Sequence, residues 1–225
     1  MTQLIANTQN LLHGIQTILR ARSTPLLREA KVIAIIMKIA KTNKLSINAP
    51  FGLGQIEFER ETLSNKELDI AWKIYVQLTT RKAALEIDEN EDSIEDIYNS
   101  WYELFTTTRE YLTEMPAVEL RGNANAQKIV NLAIDVLNKG LRPHLTKWQK
   151  KYKKWYNQTS NTQEYKDKDP QDIQKHFPEF GDLVKDMKSV NHGLMKYAEE
   201  LKKITHEEKP SFWKLAINKI KRIFK

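Results

Sequence analysis

From Ile94 to Met115 the apolar side chains of this chain recur at steps of three and four. Ile94, Ile97, Tyr98, Trp101, Leu104, Phe105, Thr108, Tyr111, Leu112 and Met115 make one continuous stripe, which Pro116 ends. That spacing puts every one of them on the same side of an α-helix about 30 Å long, whereas a strand would scatter them over both faces. A stripe of that length must be covered by other apolar faces, and the rest of the chain supplies them at the same period. With only 7 Gly and 7 Pro in 225 residues, long helices are favoured over a strand-and-turn architecture.

The flanking segments read in the same way. Leu4, Leu11, Leu12, Ile15, Ile18 and Leu19 predict a helix over 2–20. Thr24 and Pro25 open a second one, apolar on nearly every side from Val32 to Ala40, as in a helix central to a bundle. Residues 45–60 change period: Leu45 and Ile47, then Ile56 and Phe58, alternate around Pro50 to Gly54, which predicts a small β-hairpin or ordered loop. Ser64 and Glu67 have capping-box spacing, and Leu68, Ala71, Trp72, Tyr75 and Leu78 follow on one helical face. A helix bearing Ile129, Val130, Ala133, Val136 and Leu137 reaches Gly140, and Pro143 is expected to kink or break it. Beyond it, Leu141, Leu145, Trp148, Tyr152 and Trp155 form a seam for a partner helix. Asn157 to Asp169 lacks periodicity, and Phe180, Leu183, Val184, Met187, Val190, Leu194, Ala198 and Leu201 mark a last long helix.

The expected fold is therefore all-α. Residues 1–206 form an antiparallel helical bundle of about six long helices, with a small hairpin or loop near 45–60 and a mobile linker at about 157–169. Residues 207–225 are an appended basic, amphipathic C-terminal helix.

Charge is segregated along the chain. Between Lys82 and Arg109 there is no basic residue, and the window carries Glu86, Asp88, Glu89, Glu91, Asp92, Glu95, Asp96 and Glu103. Between Asp135 and Glu164 there is no acidic one, and that window carries Lys139, Arg142, Lys147, Lys150, Lys151, Lys153 and Lys154. Both are expected on outer helix faces. They either dock on one another within the chain or meet a partner, and the net charge of +7 favours an anionic one. Around Pro143 the expected helix break would expose backbone groups, with Arg142 and His144 on either side. The partner-binding candidates are accordingly Arg142, His144, Lys147, Lys150, Lys151 and Lys154. Trp148 and Trp155 read as core.

Chemistry is harder to find. The chain has no cysteine, which rules out disulfides, thiolate catalysis and Cys-ligated metal, and fits a reducing compartment. Its five histidines stand singly, without a second ligand at metal-binding spacing. Asp88-Glu89-Asn90-Glu91-Asp92 opens like a calcium-binding loop, but Ser93 and Asn99 stand where that loop needs Gly and a bidentate Glu. No enzyme, cofactor or metal site is expected. The longest apolar run, Val32 to Met37, is far short of the roughly 20 residues of a spanning helix, and the first basic residue, Arg20, comes too late for a secretory signal. A cytoplasmic protein is expected, with the inner membrane face as a second location.

That second location rests on the end of the chain. Phe212, Trp213, Ile217, Ile220, Ile223 and Phe224 line one side of a helix over 211–225, and Lys214, Asn218, Lys221 and Lys225 the other. A cationic amphipathic helix with aromatic ends lies in a membrane interface or fills a groove on a partner, unless it closes its own bundle.

Three stretches, 71–83 (AWKIYVQLTTRKA), 97–105 (IYNSWYELF) and 136–148 (VLNKGLRPHLTKW), together resemble a group of uncharacterised bacterial all-helical proteins encoded in mobile-element or phage-defence neighbourhoods. The likeness covers about 65–156. It transfers no catalytic residue, and it implies an accessory or effector component of a bacterial assembly. The expected function is a non-enzymatic interaction module, binding a protein partner or a copy of itself. The alternatives are a peripheral protein on an anionic membrane surface and, behind it, nucleic-acid binding through the 139–154 basic face.

Overall fold

The computed structural model describes residues 44–60 and 63–206. The helices expected over 2–20 and 24–40 and the terminal segment 207–225 lie outside the described residues. What is described is mostly helical, with one small sheet.

The alternation in 45–60 does make a hairpin. β1 (Lys44–Ala49) and β2 (Gly54–Glu59) pair as a two-stranded sheet, burying Leu45, Ile47, Ala49 and Phe58 and exposing the residues between them in β1. Phe51 and Gly52 both take left-handed backbone, with φ of 57° and 71°, and Leu53 N–H donates to Pro50 O at 3.2 Å. Two left-handed central residues match the twist of a tight hairpin, but a phenylalanine there is strained, because its Cβ crowds the backbone. The ring lies against Gly140 and Gly193: a Cβ on either glycine would stand 2.4 or 2.2 Å from it. Only two bare backbones leave room for the ring, and that packing holds Phe51 in its strained conformation.

Three longer helices and one composite helix carry most of the remaining described residues. In α1 (Asn65–Thr79) the capping box forms, with Ser64 N–H donating to the Glu67 carboxylate. Glu67 is buried and also accepts from Asn123 Nδ2, while Asn123 caps α3 (Ala124–Asp135) by accepting from Ala126 N–H at 3.0 Å. One buried carboxylate thus joins two helix starts. Asn125 exchanges hydrogen bonds with the Glu59 backbone at 3.2 and 2.8 Å, which fixes β2 on α3. In α2 (Ile94–Thr113), Ile94, Ile97, Tyr98, Trp101, Leu104 and Thr108 are buried, as the stripe requires. Its first N–H, on Ile94, donates at 2.9 Å to Gln174, 80 residues away. The long helix α5 (Phe180–His206) packs on α1, and α1 also meets α2 and α3.

The expected break at Pro143 does not occur. The chain continues from α3 through π-helical turns at Val136–Leu141, a single turn at Arg142–His144 and more π-helical turns at Leu145–Gln149 into α4 (Lys150–Ser160). Arg142 N–H donates to Leu137 O, five residues back rather than four. Widening the helix makes space for the proline ring against the preceding turn. Each widening also turns the following residues relative to a simple α-helix. The expected linker is shorter as well: α4 runs to Ser160, and 161–169 form successive turns before the short helix Pro170–Gln174.

Candidate functional site

The basic window runs along this composite helix, and its residues separate into three environments. His144 moves inward. The sequence placed it beside an exposed break; in the structure the helix is continuous and the imidazole is 1% exposed. Tyr98 Oη donates to His144 Nε2 at 3.2 Å, His144 Nδ1 donates to Asp186 Oδ2 at 3.0 Å, and Trp148 Nε1 donates to the same oxygen at 2.8 Å. Burial lowers the His144 pKa below its ordinary value, more than Asp186 raises it, so the ring is the neutral Nδ1–H tautomer, not the cation of an ion pair. Burial likewise holds the Tyr98 phenol far above its usual range and protonated. This chain of bonds joins α2, the composite helix and α5. Beside it a void of about 20 Å³ touches Tyr98, Tyr152 and Tyr156, space for one water.

Lys147 and Lys151 point away from this interior. Both stand over the outer face of the buried Trp148 ring, 4.4 and 5.8 Å from its centre, and Lys151 pairs with Glu179. Lys154 is exposed one turn further on. Trp148 is core, as read from the sequence, and Trp155 packs half-buried against Phe177 at 5.2 Å.

Arg142 and Lys150 turn to a third place, a groove of about 560 Å³ between α2 and the composite helix, together with Arg109, Tyr102 and Phe105. Arg142 lies 4.8 Å and Arg109 5.5 Å from the centre of the Phe105 ring. The sequence reading missed Arg109, Tyr102 and Phe105 as site residues. Their signal was present: Arg109 is the first cation after the acidic window, one turn beyond Phe105 on the flank of the long stripe.

The acidic window is spent differently. Five of its eight residues, Glu86 to Asp92, lie in turns before α2 rather than on a helix. Lys82 pairs with Asp92 at 2.8 Å, Lys188 with Glu89 at 2.7 Å and Arg81 with Glu103. Buried amides hold its backbone: Gln174 Nε2 donates to Asp92 O at 2.9 Å, and Asn191 Nδ2 to Ala83 O and Leu85 O at 2.8 and 2.9 Å. Among the described residues no basic side chain of 139–154 forms an ion pair with this window; Lys139 instead meets Asp135 on its own helix at 2.9 Å. The expected docking of one window on the other is not how the chain is assembled.

Among the described residues no three His, Asp or Glu side chains stand together as a metal-binding group, and no helix is long and apolar enough to cross a membrane. The terminal candidates Phe212, Trp213, Ile217, Ile220, Ile223 and Phe224 lie outside the described residues. No family model matches the chain, and no curated protein or solved structure shows significant similarity to it.

Proposed function

We propose that this chain is a non-enzymatic helical interaction module that docks an acidic protein partner on the basic face of its composite helix. The reading takes the whole as an antiparallel bundle of about six long helices, and, from the resemblance over 65–156, as an accessory component of a bacterial assembly. One observation carries it. Lys147, Lys153 and Lys154 form no ion pair with a carboxylate among the described residues, although the chain holds 29 acidic side chains and uses several to neutralise cations elsewhere. Cations crowded along one helix repel each other, and an acidic surface brought against them relieves that repulsion while steering the encounter.

The test uses the full chain and a defined probe, a fluorescent acidic peptide of helical design, followed by anisotropy at low and high salt. Wild type binds at low salt and loses affinity as salt rises. Reversing charge with Lys147→Glu and Lys154→Glu weakens binding by about tenfold or more. Equal affinity in the reversed variant, or binding indifferent to salt, removes the proposal. Light scattering over a range of concentrations reads the version in which the partner is a second copy, and a monomer throughout eliminates it.

A further inference from the structure

The groove between α2 and the composite helix has a chemistry of its own, and it does not depend on the lysine face. Its cations are Arg109, Arg142 and Lys150, its apolar wall includes Phe105, and no carboxylate lines it. The helical neighbours one turn away from Arg109, namely Phe105, Thr106, Leu112 and Thr113, carry no charge, and Glu103 further back is occupied by Arg81. Arg142 is held by two contacts: its Nε donates to Asn138 Oδ1 at 3.0 Å, and its guanidinium lies over the Phe105 ring. Both Nη groups are left to bind something else. Two guanidinium forks over a single ring are prepared for an oxyanion with several acceptor atoms, since each fork presents parallel donors. Beside them Tyr102 is 63% exposed, an unusual position for a large aromatic ring and a surface on which a planar ring can stack.

The groove also ends. Tyr102 is seven residues from Glu95, and the small void that continues the seam is lined by Glu95 together with Lys153. Two helical turns, about 10 Å, therefore separate the stacking surface from a carboxylate that repels any further phosphate. A long polyanionic track is disfavoured; a single phosphate bearing one planar ring fits both the charge and the size, because small-molecule sites occupy about 300–1,000 Å³. We propose that this groove binds a nucleoside phosphate, with its phosphate between Arg109, Arg142 and Lys150 and its base against Tyr102. A free mononucleotide and the phosphorylated end of a strand share that chemistry.

Calorimetric titration of the full chain with AMP, adenosine, inorganic phosphate and a short oligonucleotide with or without a 5′-phosphate tests it. AMP is expected to bind at least about tenfold more tightly than adenosine. Arg109→Ala and Arg142→Ala each weaken AMP by about tenfold, and Arg142→Lys, which keeps the charge and loses the fork, weakens it too. Tyr102→Ala weakens AMP severalfold and leaves inorganic phosphate unchanged. All three residues are exposed, so these variants keep the fold. A gain in oligonucleotide affinity on adding the 5′-phosphate assigns a strand end; no gain, with AMP still bound, assigns the free nucleotide. Absence of AMP binding, equal affinity for AMP and adenosine, or arginine variants that bind like wild type would overturn the site. So would displacement of AMP by the acidic peptide, which would make the groove part of the protein-docking face. Lys147→Glu with Lys154→Glu leaves AMP affinity intact, so this site and the docking face stand or fall separately.

Discussion

The acidic and basic windows look like mirror images in the sequence, and the fold treats them in opposite ways. The acidic one is drawn into the molecule: Lys82, Lys188 and Arg81 cover its carboxylates, and Gln174 and Asn191 bind its carbonyls. The basic one is anchored from beneath, through His144, Trp148 and Gly140, and at one charged end by the Lys151–Glu179 pair, while most of its charged ends face outward. Segregated charge in a sequence therefore does not say that the two patches meet. Here three of the eight acidic side chains pair with cations from outside the basic window. Within that window Lys151 pairs with Glu179 and Lys139 with Asp135, whereas Arg142, Lys147, Lys150, Lys153 and Lys154 form no ion pair among the described residues. That difference is why the basic side, and not the acidic one, is read as the binding surface.

The anchoring is the first half of the comparison to break. Asp186 is the shared acceptor for the buried Nδ1–H of His144 and Nε1–H of Trp148. Asp186→Ala leaves both donors without a partner beneath the basic face and is expected to cost about 3 kcal/mol, since each stranded donor costs about 1–3 kcal/mol and partial hydration recovers some of it. Urea denaturation measures this, and a loss below about 1 kcal/mol would show that the basic helix is held by apolar packing alone. Gly193→Ala comes next. Its new methyl group would stand within 2.2 Å of the Phe51 ring, so the hairpin tip must leave its dock, at a cost of about 1–3 kcal/mol. Adding Phe51→Ala removes the clash. The double variant is then less destabilised than the sum of the two single ones, and simple additivity would refute the dock.

A smaller effect follows from the neutral His144. Because its folded pKa lies below the ordinary value near 6.5, the unfolded chain takes up the proton first as pH falls. Stability is therefore full above about pH 6.5 and declines below it, with a slope of at most about 1.4 kcal/mol per pH unit from this one group. Denaturation between about pH 5 and 7, above the carboxylate range, reads the slope in wild type and in His144→Asn. The variant should be flatter, and an unchanged slope would place the titration elsewhere.

The elements themselves were legible because period alone decides them. The stripe from Ile94 to Thr108 is buried as read except at Phe105, which is half-buried in the groove wall, Leu45 and Ile47 alternate into the core, and Ser64 with Glu67 starts a helix. Of the kink or break expected at Pro143, the break is absent for a physical reason: the rule that proline breaks a helix assumes bonds four residues back, and this helix changes to five. The same widening shifts every facing downstream, which is why His144 was placed outside, and why Lys150 was grouped with Lys147 instead of with Arg109. Asp186 had no local signal at all. Its role exists only because α5 crosses the composite helix at that point, and such a meeting cannot be seen from the spacing of either segment.

The smallest effect separates the two windows most directly. Lys188 and Glu89 form an exposed pair at 2.7 Å between α5 and the turns before α2, and a pair of this kind contributes about 0–1 kcal/mol. Lys188→Ala should therefore lower stability by a few tenths of a kcal/mol at low salt, and less as salt screens the pair. Lys154→Ala, which removes a cation that has only like charges near it on its helix, should leave stability unchanged or raise it slightly. Parallel denaturation of the two variants at low and high salt compares a lysine used within the chain with one that is not. If both fall by the same amount, Lys154 is engaged internally after all, and the claim that the fold reserves the basic face for a partner loses its support.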